Sequence, residues 1–141
     1  CNMTDIMAAL GLVQLRRYPE LLKRRYDMVR RYDAQLPQEV LRPAHLRPDM
    51  TSDCHLYLAR IPGLNHERRS AVITRMAERG VACNVHYKPL PLLTAYKNLG
   101  FPMEDYPNAY AQFENEITLP LHTLLSDEDI DYVCACLKEC L

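Results

Sequence analysis

The chain has 141 residues, of which 48% are hydrophobic and 25% are charged, the composition of a globular domain large enough to bury its own core. The formal net charge of −1 excludes a general attraction to nucleic acid or to an anionic membrane surface. No stretch reaches the roughly eighteen uninterrupted apolar residues that a membrane-spanning helix needs. We therefore expect a cytoplasmic protein whose binding, if any, comes from a local site and involves neither nucleic acid nor membrane.

The first quarter of the chain has the period of a helix. From Thr4, the predicted N-cap, apolar residues recur at steps of three and four until the chain reaches Pro37. Pro19 cannot donate a backbone hydrogen bond inside a helix, so we predict two nearly continuous helices that meet around Tyr18. The basic residues on the polar side are interpreted as a solvated face rather than as a phosphate site. This gives linking helices at 1–36 ahead of a domain at 37–141.

Shorter elements alternate along the rest of the chain. We predict a loop with an edge strand around Leu41, a strand in HLYLARIP, a helix from Asn65 or His66 through Glu78 closed by Gly80, a strand in VACNVHY, a short helix over 93–99, a helix from Asn108 into Glu116, an extended segment ITLPL and a last helix opened by a capping box at Ser126–Asp129. Strands that alternate with helices in this way predict an α/β fold. The sheet is expected to have three or four strands, with helices mainly on one face.

The segment NVHYKPLPLL carries the strongest candidate site. His86, Tyr87 and Lys88 follow the predicted strand, and Pro89 and Pro91 then force the chain out of the sheet. Side chains at such strand ends are held on a rigid base and can contact a ligand. The residue types alone favour a plain turn, in which Tyr87 packs and Lys88 is solvated. Both interpretations stay open at this point.

Six cysteines raise the question of metal or disulfide chemistry. Cys1, Cys54 and Cys83 are isolated, and Cys134, Cys136 and Cys140 share one predicted helix without a CxxC pair. With His122 upstream a metal site can be imagined, but thiols at core spacing are far commoner. We interpret all six as reduced cysteines.

Four segments together carry a resemblance to a known family. They are CNMTDIMAALGLVQL, DCHLYLARI, VACNVHYKPLPLLTAYKNLGF and YPNAYAQFENEITLPLHTLLSDEDIDYV. The chain resembles the C-terminal, small-domain portion of the DegT-type sugar aminotransferases, which use pyridoxal phosphate and have the aspartate-aminotransferase fold. These enzymes aminate keto-sugars attached to nucleotides. The resemblance runs from Cys1 to the last helix.

The resemblance implies roles for particular residues. His86 and Tyr87 are implied to contact the nucleotide-sugar, with Lys88 as a phosphate neighbour. His55 and Tyr57 match a His-x-Tyr strand that supports the same cleft. Asn2 is the candidate for contact with the cofactor phosphate, at a position where many members carry a basic residue.

The same resemblance implies that catalysis needs more than this chain. The Schiff-base lysine of the family lies in its large N-terminal domain, and Lys23, Lys88, Lys97 and Lys138 do not lie in that setting. The chain opens at Cys1 rather than methionine, so we expect a piece of a longer polypeptide. On its own it is expected to be inactive and not to bind pyridoxal phosphate. The intact enzyme is expected to be a homodimer that uses an amino-acid amino donor.

Two other classes of function remain as alternatives. The chain could be a stand-alone module that binds a ligand or a partner, which would require an apolar face covered by self-association. It could instead be a metal or redox protein built on Cys134, Cys136 and Cys140. The first alternative predicts no cofactor absorbance in the intact protein, and the second predicts bound metal.

Overall fold

The computed structural model describes residues 2–141 and arranges them as helices and one small sheet. The elements are α1 (Asp5–Gln35), β1 (Tyr57–Arg60), α2 (His66–Glu78), α3 (Thr94–Lys97), α4 (Pro107–Phe113), β2 (Glu116–Leu119) and α5 (Asp127–Cys140). Short 3₁₀ turns lie at Leu90–Leu92 and Met103–Asp105. None of the helices described for residues 2–141 is both long and apolar enough to cross a membrane. The predicted α/β class is confirmed.

Helix α1 is one helix rather than the two that Pro19 predicted. It begins after Thr4, whose side chain accepts a hydrogen bond from the Met7 backbone N–H at 3.3 Å, as an N-cap does. It then continues through Pro19 to Gln35. The proline ring fixes a φ close to the helical value, so the destabilisation is limited to one missing backbone hydrogen bond and to crowding in the preceding turn. The residues on both sides of Pro19 keep helical geometry despite that cost, which the sequence rule did not anticipate.

The sheet is smaller than predicted. Strands β1 and β2 pair antiparallel with Tyr57 opposite Leu119, and single bridges extend the sheet on both sides, from Leu41 to Arg60 and from Asn84 to Thr118. The expected edge strand at Leu41 is therefore reduced to one bridge. The expected strand in VACNVHY is likewise reduced to the bridge at Asn84, so that prediction of a regular strand is wrong.

The strand register divides the sheet into two chemically different faces. On one face Tyr57, Ala59, Ile117 and Leu119 are buried against the helices. On the other face the cross-strand pairs are Leu58 with Thr118 and Arg60 with Glu116. Because the side-chain period of a strand is two, each pair of facing residues lies wholly on one side.

The helix boundaries downstream of the sheet follow the predicted caps. Asn65 accepts a hydrogen bond from the Arg68 backbone N–H at 2.9 Å, and Gly80 ends α2 with a φ of +78°, the left-handed conformation that glycine adopts without strain. Ser126 and Asp129 form the predicted reciprocal capping box at the start of α5. Helix α4 ends at Phe113, before Glu116, because Glu116 already belongs to β2.

Arginines of α1 bind α5, contrary to the prediction of a simply solvated basic face. Arg31 forms a two-pronged bond with Asp131, from Nε at 2.5 Å and from Nη2 at 2.7 Å. Arg31 and Arg24 also reach the two oxygens of Asp127, at 2.9 and 2.6 Å. A planar guanidinium matches a carboxylate in this geometry, so the contact fixes orientation as well as distance.

The two halves of α1 have opposite surroundings. Met28, Val29 and Tyr32 in the second half are buried in the core formed with α5 and the sheet. In the first half apolar side chains are exposed on several sides, with Ile6 at 76% and Leu10 at 64%. The division between 1–36 and 37–141 stays a prediction about the whole protein, although the packing joins the second half of α1 to the core of 37–141.

The bond between α1 and α5 gives a prediction about acid stability. The hydrogen bonds from Arg31 and then from Gln35 lower the pKa of Asp131 from 3.8 to about 2. A carboxyl group whose pKa is lower in the folded state stabilises the fold above its unfolded pKa, and that contribution is lost as the pH falls from 3.8 toward 2. We expect the free energy of unfolding of Asp131→Asn to fall less between pH 5 and pH 2 than that of the wild type. Urea unfolding at steps between pH 5 and pH 2 measures it.

The control for this measurement is Glu104→Gln, because Glu104 is exposed and joins no ion pair among residues 2–141. That variant should follow the wild-type curve. Equal acid-induced losses in the wild type and in Asp131→Asn would contradict the assigned role of the carboxylate.

The exposed half of α1 gives a second prediction. Large apolar surfaces are poorly tolerated by isolated chains, and here the apolar residues lie on nearly all sides of the first three helical turns. We expect the 141-residue chain to self-associate through this segment, and Leu10→Lys to shift it toward a single chain. Sedimentation velocity over a range of concentrations measures the change. Leu124→Lys is the matched control, since Leu124 is 90% exposed in a loop outside α1. If the wild-type chain sediments as a single chain at every concentration measured, the expectation is refuted.

Candidate functional site

A cavity of about 470 Å³ lies beside the predicted motif, on the side of the sheet away from the helical core. This volume falls in the range of small-molecule sites. Its lining comprises His86, Tyr87, Lys88, Pro89, Leu90, Ala109, Gln112, Phe113 and Glu116. The structure therefore brings together the three motif residues, helix α4 and the first residue of β2.

A hydrogen-bonded chain joins β2 to the motif. The Thr118 hydroxyl donates to Glu116 Oε1 at 2.6 Å, and the His86 backbone N–H donates to Glu116 Oε2 at 2.9 Å. The His86 ring nitrogen Nδ1 lies 2.8 Å from the Thr118 oxygen. His86 is thus held by a backbone bond and by a side-chain bond, both of which lead back to β2.

The local sequence explains why the motif lies against β2. Asn84 and Thr118 exchange backbone hydrogen bonds of 3.1 and 2.8 Å, which pin the chain to the edge of the sheet two residues before His86. Pro89 then leads into the 3₁₀ turn at Leu90–Leu92, which carries the chain away from the sheet. His86 sits between these two constraints.

Glu116 is a carboxyl group buried at the base of the cavity, with only 1% of its surface exposed. Burial raises its pKa, because the charged form loses water. The bonds from Thr118 and from the His86 backbone oppose that rise, as does the positive charge of Arg69. Both carboxylate oxygens have protein donors, which is the condition for holding such a group inside a fold.

Phe113 forms a wall of the cavity and is itself held from behind. The Arg69 guanidinium lies 5.0 Å from the centre of the Phe113 ring and donates to the Phe113 carbonyl at 3.2 Å. The His66 ring lies 5.3 Å from the same phenyl ring. Burial lowers the pKa of Arg69. The first turn of α2 therefore fixes the position of this wall.

A second, apolar cavity of about 350 Å³ adjoins the first and shares Pro89, Leu90 and Ala109 with it. Its other lining residues are Pro91, Tyr96, Phe101 and Tyr106. The combined site has a polar end at His86 and an aromatic end in the segment after the motif. Such a division suits a ligand with separate polar and apolar parts.

The tyrosine of the motif does not pack into the protein. Tyr87 is 72% exposed, and its ring meets the His86 ring edge to face with centroids 4.7 Å apart. The plain-turn interpretation required Tyr87 to pack, so the structure does not support it. Lys88 is also exposed and leaves its charge available at the rim of the cavity.

The other predicted site residues lie elsewhere. Tyr57 is fully buried on the opposite face of the sheet, where its hydroxyl donates to Asp33 at 2.6 Å. His55 is exposed two residues before β1, and Asn2 is exposed before α1. None of these three lines the cavity. Their assignment to substrate or cofactor binding stays a prediction that the geometry of residues 2–141 does not support.

Sequence reasoning missed Glu116 and Thr118. A signal was present, because polar Glu116 and Thr118 alternate with apolar Ile117 and Leu119 in one extended segment. That alternation places both polar residues on one face of the sheet. It does not predict that they are buried, and burial is what distinguishes them from residues of a solvated surface.

The cysteines form no metal centre in the described part of the chain. No group of three potential His, Cys, Asp or Glu ligands occurs in residues 2–141. The five cysteines described there are free thiols, and Cys1 lies outside the described residues. Burial raises the pKa of Cys83 to about 12 and of Cys134 to about 11, so these two stay protonated near neutral pH.

Comparison with known proteins identifies relatives along nearly the whole chain. The spore coat polysaccharide biosynthesis protein SpsC of Bacillus subtilis (strain 168) is 32% identical over 145 residues, which cover 98% of this chain and 36% of SpsC. The dTDP-4-dehydro-2,3,6-trideoxy-D-glucose 4-aminotransferase of Saccharopolyspora spinosa is 33% identical over 128 residues, covering 89% of this chain and 31% of that enzyme.

A solved structure gives the same result for the fold. Spr1654 of Streptococcus pneumoniae, in its PLP-form, is 56% identical and superposes with a TM-score of 0.93 over 100% of this chain and 37% of that chain. The small domain of an aspartate-aminotransferase-like fold, which the resemblance implied, is confirmed. The chain spans about a third of the length of these relatives. Since the DegT/DnrJ/EryC1/StrS aminotransferase family model matches residues 1–138, the chain belongs to that family.

Proposed function

We propose that this chain is the substrate-side portion of a pyridoxal-phosphate-dependent aminotransferase that transfers an amino group from an amino acid to a nucleotide-linked keto-sugar. The observation that carries the proposal is the cavity at His86, Tyr87 and Lys88, in a chain that matches the family over residues 1–138. The relative from S. spinosa acts on a dTDP-linked sugar, which supports the substrate class.

The geometry supports a division of the ligand between the two cavities. A sugar carries hydroxyl groups, which suit the polar end near His86 and Glu116. The Lys88 ammonium at the rim suits the charge of a diphosphate. The aromatic end with Tyr96, Phe101 and Tyr106 offers ring faces to a planar base.

The cavity does not by itself fit the cofactor. Pyridoxal phosphate needs a lysine amine, a carboxylate beside the pyridine nitrogen and donors for its phosphate in one place. Glu116 is the carboxylate that lines this cavity, and its two oxygens already accept from Thr118 and from His86. Glu116 therefore binds the motif, and it does not serve as the carboxylate beside a pyridine nitrogen. In the proposed enzyme these residues bind and orient the sugar.

We infer a homodimer in which the exposed first half of α1 is covered, because apolar side chains all round a helix are typical of a buried helix. We propose that the intact protein keeps the division into linking helices at 1–36 and a small domain at 37–141. The intact enzyme is proposed to act in the cytoplasm.

The cofactor part of the proposal is tested by absorbance. We expect the intact gene product to show the near-visible band of bound pyridoxal phosphate, and borohydride to abolish it by reducing the bond to a lysine. The 141-residue chain under the same conditions is expected to show no such band. Absence of the band from both would refute the aminotransferase proposal and favour a module that binds a ligand without chemistry.

The substrate part is tested by His86→Ala in the intact enzyme. Loss of one positioned hydrogen bond costs about 1 to 1.5 kcal/mol, so we expect kcat/KM for the nucleotide-sugar to fall by about tenfold. The thermal midpoint should change little, because His86 lies outside the hydrophobic core. Steady-state kinetics and a melting curve measure the two quantities.

His122→Ala is the matched control for this substitution. His122 is exposed and does not line the His86 cavity, so its variant should keep the wild-type kinetic constants. Wild-type kinetics for His86→Ala would remove this cavity from the proposed substrate site, whatever the absorbance shows.

A further inference from the structure

The hydrogen bonds of the Thr118 hydroxyl group determine which ring nitrogen of His86 carries the hydrogen. A hydroxyl group has one hydrogen to donate and lone pairs to accept with. An ionised Glu116 can only accept, so the Thr118 hydroxyl hydrogen goes to Oε1 at 2.6 Å. The Thr118 oxygen then has only lone pairs to offer to His86 Nδ1 at 2.8 Å. Nδ1 must therefore be the protonated nitrogen.

Glu116 has the hydrogen-bond donors that an ionised carboxylate needs. Oε2 accepts the His86 backbone N–H at 2.9 Å, a donor that has no alternative orientation. The pKa of Glu116 is raised by burial, and the two hydrogen bonds and the charge of Arg69 act against that rise. The titratable groups beside the His86 ring are Glu116, Tyr87 and Lys88, and the last two are exposed.

The remaining ring nitrogen has a different position in the site. Nε2 lies across the imidazole from Nδ1, makes no hydrogen bond within residues 2–141 and belongs to a side chain that lines the cavity. In a neutral ring with hydrogen on Nδ1, Nε2 is an acceptor. Such a nitrogen accepts a hydrogen bond from a hydroxyl group, whereas a carbonyl or phosphate oxygen at the same position has no hydrogen to donate.

We propose that Glu116 and Thr118 are positioning residues that hold neutral His86 in its Nδ1–H tautomer, so that Nε2 accepts a hydrogen bond from a hydroxyl group of the ligand. The identity of that ligand as a sugar rests on the proposed function. The tautomer does not, because Glu116, Thr118 and His86 set it without any ligand. The same arrangement of a second residue orienting a histidine is used widely where a ring nitrogen must face a partner.

The test reads the tautomer directly in the ligand-free chain. Long-range ¹H–¹⁵N spectra of the ¹⁵N-histidine-labelled 141-residue chain, above the pH at which the histidines titrate, distinguish a protonated ring nitrogen from a bare one. His86→Gln assigns the His86 signals. We expect His86 to be mostly Nδ1–H in the wild type. A wild-type His86 that is mostly Nε2–H overturns the proposal without the use of any variant at Thr118.

Substitutions at Thr118 then test the cause. Thr118→Val removes the hydroxyl group at nearly constant shape, and we expect His86 to change from mostly Nδ1–H to mostly Nε2–H. Thr118→Ser keeps the hydroxyl group and should keep the Nδ1–H form. Thr74→Val is the matched control, because the Thr74 hydroxyl donates only to the Ser70 carbonyl within α2. A tautomer unchanged in Thr118→Val overturns the positioning role.

These outcomes separate the inference from the proposed function. Each spectrum is recorded without cofactor or nucleotide-sugar, on samples that show one cooperative thermal transition. An Nδ1–H tautomer together with no cofactor band in the intact protein would sink the aminotransferase proposal alone. An Nε2–H tautomer in an active enzyme would sink the positioning inference alone.

Discussion

The register of the β1 and β2 pair is the constraint on which the rest of the structure depends. With Ala59 opposite Ile117, four apolar residues of the pair face the helices, namely Tyr57, Ala59, Ile117 and Leu119, and both polar residues of β2 face away. A slip of one residue would turn Glu116 toward the core and Ile117 toward the cavity. Two strands of four residues thus create both the hydrophobic core and the floor of the site. The single bridge from Asn84 to Thr118 then places the His86 segment over that floor.

The site is an example of a buried carboxyl group held by hydrogen-bond donors rather than by an ion pair. Glu116 has no salt bridge within 4 Å among the described residues, yet its two oxygens accept from a backbone amide and from a hydroxyl group. Leaving either oxygen bare at this depth would cost about 1 to 3 kcal/mol or more. The carboxylate therefore requires the His86 backbone and the Thr118 side chain to stay where they are. The stability of the fold and the shape of the cavity depend on the same bonds.

The helices could be predicted from caps and hydrophobic periodicity. The strands could not be predicted as well, because whether a segment forms a strand depends on its pairing partner. Asn65, Gly80 and Ser126 act through neighbours within four residues, so their effects are visible locally. The segment VACNVHY has the composition of a strand, but only Asn84 finds a partner, because backbone pairing depends on residues more than thirty positions away. His86 could be predicted from the motif and the resemblance. The alternation in its own segment could place Glu116 on the face away from the core, but its burial follows from the register and could not be predicted from the sequence.

Helix α1 is attached to α5 at one end and extends away from it at the other. The contact between Arg31 and Asp131, supported by Arg24 on Asp127, clamps one end in both distance and angle. From Asp5 to Arg24 the free arm extends for about 29 Å at the helical rise of 1.5 Å per residue. A tilt of about 10° at the clamp would move the far end by about 5 Å over this length. The carboxylates of Asp127 and Asp131 therefore set the direction of the exposed half of α1, and with it the position of Ile6 and Leu10. The two aspartates that control this position lie more than a hundred residues further along the chain.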